Sequence, residues 1–288
     1  MALLRATFSI FLCFFPSLGM AASVEYIDDQ AFSRQLTEAT IKLKNEGKLL
    51  DSKTLIKTMK KGKAKVFPFP VPDSKDPAII SYDELKKKVL VHCSLTKCSG
   101  KANFRVGFSS SYAISKDVVV LNHHALADEK KFHAIADSSG RLFPLSEIFA
   151  VDEENDIVIA RVADGDFSPF PIVPDEPIGN QVIVMSHPDE HFYVMTRGTI
   201  ARYCVCQCGC DFHKKRSGKW FGMSITADYA KGSSGAPVLN MNGEVVGMVA
   251  STNSIYHDES NDQQKNLQMV MKNCVPSRYI LNIINKGP

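Results

Sequence analysis

Gly232-Ser-Ser-Gly-Ala-Pro-Val238 opens an apolar stretch that runs to Ala250. A serine between two glycines, at a turn that feeds a strand, has what a nucleophile requires. Glycine reaches backbone conformations closed to other residues. The N–H groups of Gly232 and Ser234 can then converge on one point, the arrangement that stabilises a developing oxyanion. Pro237 restricts the chain where the strand begins. Ser-Gly pairs alone mark ordinary turns, so the reading depends on partners elsewhere in the chain.

Two upstream blocks supply them. Residues 117–126 read Asp-Val-Val-Val-Leu-Asn-His-His-Ala-Leu, a β-branched run that ends on His123 and His124. Residues 155–162 read Asn-Asp-Ile-Val-Ile-Ala-Arg-Val, an acid directly before a strand. The acidic run Asp152, Glu153 and Glu154 reads by default as a solvated turn. Asp156 alone abuts the apolar strand, so its carboxylate is the one that folding can fix and bury, with Asp152 as the fallback. Singly each block is weak, because an Asp before a strand is commonly a turn residue. In the order His, Asp, Ser they fill the three roles of base, orienting acid and nucleophile.

The segments Val118–His124, Asn155–Val162 and Asp228–Val238 resemble those of chymotrypsin-like (trypsin-like) serine peptidases, of the compact bacterial secreted or periplasmic type. A softer match joins Val182-Ile-Val-Met-Ser-His-Pro188 to Thr196-Arg-Gly-Thr-Ile200. The resemblance covers residues 85–288 and implies a double six-stranded antiparallel β-barrel with a C-terminal helix. It implies a serine endopeptidase acting on protein or peptide substrates through an acyl-enzyme intermediate, with no cofactor and no metal. Ser234 would be the nucleophile, His124 rather than His123 the base, and Asp156 its partner. Gly232 and Ser234 would form the oxyanion hole. Asp228, six positions before the nucleophile, aligns with the base of the substrate pocket in trypsin-like members; there it selects Lys or Arg, or it is a structural turn residue. Ser251 and Thr252, with Asn253, would bind the substrate main chain. Ser233 stands where zymogen-activated members carry an Asp, and no Ile-Val-Gly-Gly-like start is present, which argues against that activation switch. The rival reading is a non-catalytic peptide- or metal-binding protein on the same scaffold.

The rest of the chain fits an exported, all-β dominated protein. Arg5, the apolar stretch from Phe8 to Leu18 and the small residues up to Ser23 read as a signal peptide over 1–23, too short to be a membrane span. Secretion or a periplasmic location follows, without membrane insertion after cleavage. A net charge of +3 argues against a general nucleic-acid role, and 44% hydrophobic content supports a sizeable core. Residues 24–75 form a separate segment. Phe32, Leu36, Ala39 and Leu43 recur at helical spacing, a second helix is expected from Ser52 to Lys60, and a proline-rich connector follows at 66–72. Nine lysines against Glu46 and Asp51 in residues 42–65 suggest a helical appendage with a solvated face, or a pro-segment.

In the peptidase-like region, 76–288, apolar runs at 88–92, 103–107, 117–121, 157–162, 182–186, 192–196 and 244–250 suggest a sandwich or barrel. Asn242-Gly243 signals a hairpin, and residues 276–284 a closing helix. The cysteines favour disulfides in an exported chain: a Cys93–Cys98 bridge, and bridges involving Cys204, Cys206, Cys208 and Cys210 or a distant Cys274. The second choice for that insert is a thiolate metal site with His213. Trp220 is expected to pack under it.

Overall fold

A computed structural model of the chain describes residues 26–59, 80–98, 104–206, 220–260 and 263–286. Three short helices come first: α1 (Asp29–Asn45), α2 (Ser52–Thr58) and α3 (Tyr82–Lys88). Each is started by a side chain that accepts an otherwise orphaned N–H: Asp28 from Ala31, Asp51 from Thr54 and Ser81 from Glu84. Six strands follow, β1 (Val89–Lys97), β2 (Phe104–Ser115), β3 (Val118–Leu121), β4 (Phe132–Ala136), β5 (Leu142–Asp152) and β6 (Ile157–Val162). They close into a barrel in the order β1-β2-β3-β6-β5-β4. A second barrel, β10-β11-β12-β9-β8-β7, is built from β7 (Gln181–Ser186), β8 (Val194–Cys206), β9 (Trp220–Ile225), β10 (Pro237–Leu239), β11 (Val245–Ser260) and β12 (Gln263–Pro276). Helix α4 (Ser277–Lys286) ends the chain, its start held by Asp175, which accepts from Ser277 Oγ and the Arg278 N–H. The double barrel with a C-terminal helix is the expected fold. Among the described residues no helix is long and apolar enough to cross a membrane.

Successive residues of a strand face opposite ways, and in the first barrel both faces are buried. Leu90, Val119, Ile135, Phe143 and Val158 form a cluster confined to that barrel and joined by Leu55 of α2. Their neighbours Val91, Val118, Val120 and Ile159 instead join Ile183, Met185 and Met248 of the second barrel. Leu36 of α1, Leu85 of α3 and Ile280 of α4 complete that cluster, so three helices pack onto the core shared by the barrels. The helical segment read from its spacing as an appendage thus has Leu36 and Thr40 fully buried.

The apolar runs of the sequence coincide with β1, β2, β3, β6, β7, β8 and β11, though β2, β8 and β11 run on to 115, 206 and 260. The strands without a sequence signal are β4, β5, β9 and β12. Pro144 and two register shifts against β6 break the alternation of β5. The outer half of β12, Gln264–Met269, is exposed throughout and carries no buried face. The Asn242-Gly243 signal is the tip of a wider turn, in which Asn240 Oδ1 accepts the N–H groups of Asn242 and Glu244, both at 3.0 Å.

The cysteines depart from expectation. Cys93, Cys98 and Cys274 are free thiols. Extended β1 sets residues 93 and 98 roughly 16 Å apart, well beyond the ~7 Å that a bridge spans. Cys208, Cys210, His213, the side chains of Cys206 and Trp220, the leader and the proline-rich connector lie outside the described residues.

One polar chain crosses the first barrel. Ser52 Oγ meets His133 Nε2 at 2.7 Å, His133 Nδ1 meets His92 Nε2 at 3.0 Å, and His92 Nδ1 meets Ser109 Oγ at 2.9 Å. Burial pushes His133 down to about 3 and His92 well below its ordinary range. His187, also buried, falls to about 4. An unfolded chain protonates these rings near pH 6.5, whereas the folded one keeps them neutral. Stability present above that pH is therefore lost as pH falls from about 6.5 towards 4, with His187 alone contributing on the order of 3 kcal/mol. Urea unfolding at a series of pH values should show this decline; a flat profile between pH 7 and 5 would contradict it.

Candidate active site

β3 delivers His123 and His124 to a short 3-10 turn at the barrel rim, and the β5–β6 turn brings Asp156 beside them. Asp156 takes a left-handed backbone conformation, φ 57°, which aspartate tolerates better than most residues. Its carbonyl accepts from the His123 N–H and from Asn122 Nδ2, both at 3.2 Å. Its carboxylate is 1% exposed and grips His124 twice: Oδ1 accepts the backbone N–H and Oδ2 meets Nδ1, each at 2.8 Å. An ionised carboxylate only accepts hydrogen bonds, so Nδ1 carries the proton and Nε2 presents a lone pair. His124 is the half-exposed ring of the two and the one that meets Asp156. Asp152 is occupied in the turn itself, accepting from the Asn155 N–H and Nδ2 at 2.9 and 2.7 Å.

The turn that carries Ser234 belongs to the second barrel but is fastened to the first. Ser110 of β2 donates its N–H to the Ser234 carbonyl at 2.9 Å and its hydroxyl to the Gly232 carbonyl at 3.3 Å. Both glycines are required. Gly232 has φ +94°, and a Cβ there would lie 2.4 Å from the His187 carbonyl; at Gly235, φ +85°, it would lie 2.2 Å from the Ser110 carbonyl. Ser233 is fully buried and accepts from the Ser186 hydroxyl at 2.9 Å. Among the described residues the N–H groups of Gly232 and Ser234 donate to no protein group, which leaves them for a ligand oxygen. Ser234 Oγ donates to the Ala250 carbonyl at 3.2 Å.

Beyond the turn, Asp228 is 85% exposed and pairs with Lys272 Nζ at 3.3 Å. Lys272 is itself only 12% exposed and also donates to the Tyr229 carbonyl. The Tyr229 hydroxyl bonds the carbonyls of Ser251 and Asn273 at 3.0 and 2.8 Å. Asp228 is thus an exposed carboxylate already matched by an ammonium. Ser251 and Thr252 pair with Asn273 and Lys272 of β12. The β10 side of β11 is paired as far as Val249, through Gly235 and Ala236, and among the described residues no strand pairs with that side from Ser251 onward.

Residues 107–248 match the family model of the trypsin-like peptidase domain. The chain carries a trypsin-like peptidase domain. Its chemistry is that of a serine endopeptidase. In fold the peptidase is similar to the crystal structure of the Rv3671c protease from M. tuberculosis in its active form, at 20% identity and a TM-score of 0.56, covering 79% of this chain and 92% of that one. It is also similar to a serine-to-alanine mutant of Rv3671c from M. tuberculosis H37Rv in an inactive form, at 18% identity and a TM-score of 0.53, covering 76% and 96%. No curated protein matches the sequence.

Four residues that shape the candidate site were not singled out from the sequence. Ser110 had a signal, since three serines at 109–111 interrupt an apolar strand pattern. His187 fell within a matched block but without a role; its backbone carbonyl is what shapes the Gly232 approach. Tyr229 likewise fell within a matched block without a role, and Lys272 had no signal, because it lies on a strand with no periodicity. Gly235→Ala tests the fastening of the turn. The left-handed backbone costs roughly 1 kcal/mol or more and the Ser110 contact adds to it, so the melting temperature should fall by several degrees, and an unchanged melt would contradict the close approach.

Proposed function

We propose that this peptidase is exported and cleaves peptide bonds through His124, Asp156 and Ser234. Ser234 Oγ attacks the scissile carbonyl, His124 Nε2 takes its proton, and the acyl-enzyme forms as His124 returns that proton to the leaving amine. Asp156 holds the tautomer and stabilises the imidazolium. The N–H groups of Gly232 and Ser234 receive the oxyanion. The double grip of Asp156 on His124, which leaves Nε2 as an acceptor, is the observation that carries this reading. Export rests on the leader at 1–23.

Substrate would add as a strand to the open edge of β11 at Ser251, Thr252 and Asn253, main chain to main chain. Asp228 lies near that edge. Its exposure and its Lys272 partner argue against a dominant role in selecting Lys or Arg, so its contribution is to the rim of the substrate groove.

A fluorophosphonate should label the mature protein at Ser234, and Ser234→Ala should abolish the adduct. Asp156→Asn should lower kcat on the order of 10⁴-fold through the wrong tautomer. Equal labelling of wild type and Ser234→Ala would sink the assignment. Asp228→Asn should change the ratio of kcat/KM for Arg over Leu substrates by less than about fivefold, the scale of an exposed ion pair. A loss of two or more orders of magnitude for Arg substrates would restore the pocket-base role.

A further inference from the structure

Among the described residues, the segment His187–Tyr193 holds the densest run of left-handed non-glycine residues. Asp189, Glu190 and Tyr193 all adopt left-handed backbone conformations, with φ of 47°, 65° and 60°. Non-glycine residues persist there only when their surroundings over-determine them. One set of those surroundings is the nucleophile turn. Asp189 donates its N–H to the Lys231 carbonyl at 2.6 Å, and the His187 carbonyl occupies the space a Gly232 side chain would need. Within the segment, His187 Nδ1 accepts the Tyr193 N–H at 3.1 Å, which leaves Nε2 to donate to the Leu90 carbonyl at 3.2 Å.

The other side is held by the beginning of α1. Asp29 Oδ1 accepts the Phe192 N–H at 2.9 Å, and Oδ2 meets His191 Nδ1 at 3.1 Å. Ser33 Oγ donates to Glu190 Oε2 at 3.0 Å. Phe32 lies edge-on to Phe192, ring centroids 4.8 Å apart, and 6.0 Å from the Tyr193 ring. The later turns of the helix do different work. Leu36 and Thr40 are buried in the core, and Gln35 donates to the Ser139 carbonyl. One helix therefore has an anchored body and a first turn that reaches the strained segment.

We propose that Asp29, Phe32 and Ser33 are positioning residues for the oxyanion hole. They hold residues 190–193 in a conformation that would otherwise relax, and that segment in turn sets the Lys231–Ser234 turn. The N-terminal helix then acts as an activator in cis, and a state of the chain with its first turn displaced has a bound substrate but a poorly formed oxyanion site. This inference rests on the proposed roles of Gly232 and Ser234.

The test uses the full mature protein and compares Asp29→Ala, Asp29→Asn and Gln35→Ala. Asn keeps an acceptor for the Phe192 N–H and a donor for His191, so it should restore what Ala removes. Asp29→Ala should lower kcat roughly ten- to a hundredfold with KM within about threefold. Affinity for a peptide aldehyde, whose adduct carries an oxyanion, should fall in parallel, while a non-covalent product peptide binds as before. Gln35→Ala should leave kcat unchanged. If Asp29→Ala does not fold, Ser33→Ala, which removes a bond between exposed groups, carries the same readouts with a smaller drop. Turnover by Asp29→Ala at the wild-type rate overturns the proposal, as does an equal loss in Gln35→Ala, which would mark a general structural role. Absence of labelling at Ser234 in the wild type would instead overturn the catalytic reading, and the positioning role with it.

Discussion

The hydrogen bonds from Ser110 to the turn that carries Ser234 are the constraint on which the candidate site depends. His124 and Asp156 ride on the rim of the first barrel, whereas Ser234 rides on the second. Two barrels packed through apolar side chains alone are free to slide by fractions of an ångström, and misplacement of about 1 Å can cost a hundredfold in rate. Ser110 removes that freedom with two bonds, from its N–H to the Ser234 carbonyl and from its hydroxyl to the Gly232 carbonyl. Its hydroxyl also accepts the His187 N–H at 3.2 Å, so one serine of β2 ties together the turn and the segment beneath it. Gly235 is the complement of this device, since only a residue without a side chain lets the Ser110 carbonyl come so near.

The apolar packing explains why such a device survives at the centre of the molecule. The cluster shared by both barrels takes in α1, α3 and α4, so water is kept from the seam on which Ser110 sits. Hydrogen bonds there are stronger than at the surface, and leaving one unmade is correspondingly costly. The same logic governs the chain of Ser52, His133, His92 and Ser109, where each ring nitrogen has a partner and both rings stay neutral because burial penalises charge. Ser52 belongs to α2, so this chain also fastens the N-terminal segment to the first barrel.

What was legible in the sequence follows from this architecture. Strands with two buried faces, such as β3 and β6, announce themselves by consecutive β-branched residues, Val118–Val120 and Ile157–Ile159. The exposed outer half of the β11–β12 hairpin does not, because neither face is buried and no period results. The site shows the same division. Ser234, Asp156 and His124 stand at ends of apolar strands, where an abrupt change from apolar to polar residues is visible in one dimension. Asp29 and Lys272 make their contacts across long stretches of chain, and nothing local distinguishes them from ordinary surface or turn residues, whereas Ser110 shows only as one of three serines that interrupt an apolar strand pattern. The surroundings of Asp228 escape the sequence for a related reason. Its distance from the serine along the chain is visible, but the ammonium of Lys272 that neutralises it comes from a strand that carries no signal.

The unbridged cysteines need not conflict with an oxidising destination. A thiol reacts through its thiolate, and a buried one in apolar surroundings seldom ionises. Cys93 and Cys274 are both fully buried, and burial pushes each thiol up to about 12. Cys93 sits in the shared core beside α1, while Cys274 lies within the second barrel, its Sγ 3.6 Å from the Tyr229 hydroxyl. Each fills a space where a small apolar group is needed, so their selection is explained by packing. An oxidant would reach them only after the barrels open, and their protection is therefore set by global stability and not by local chemistry.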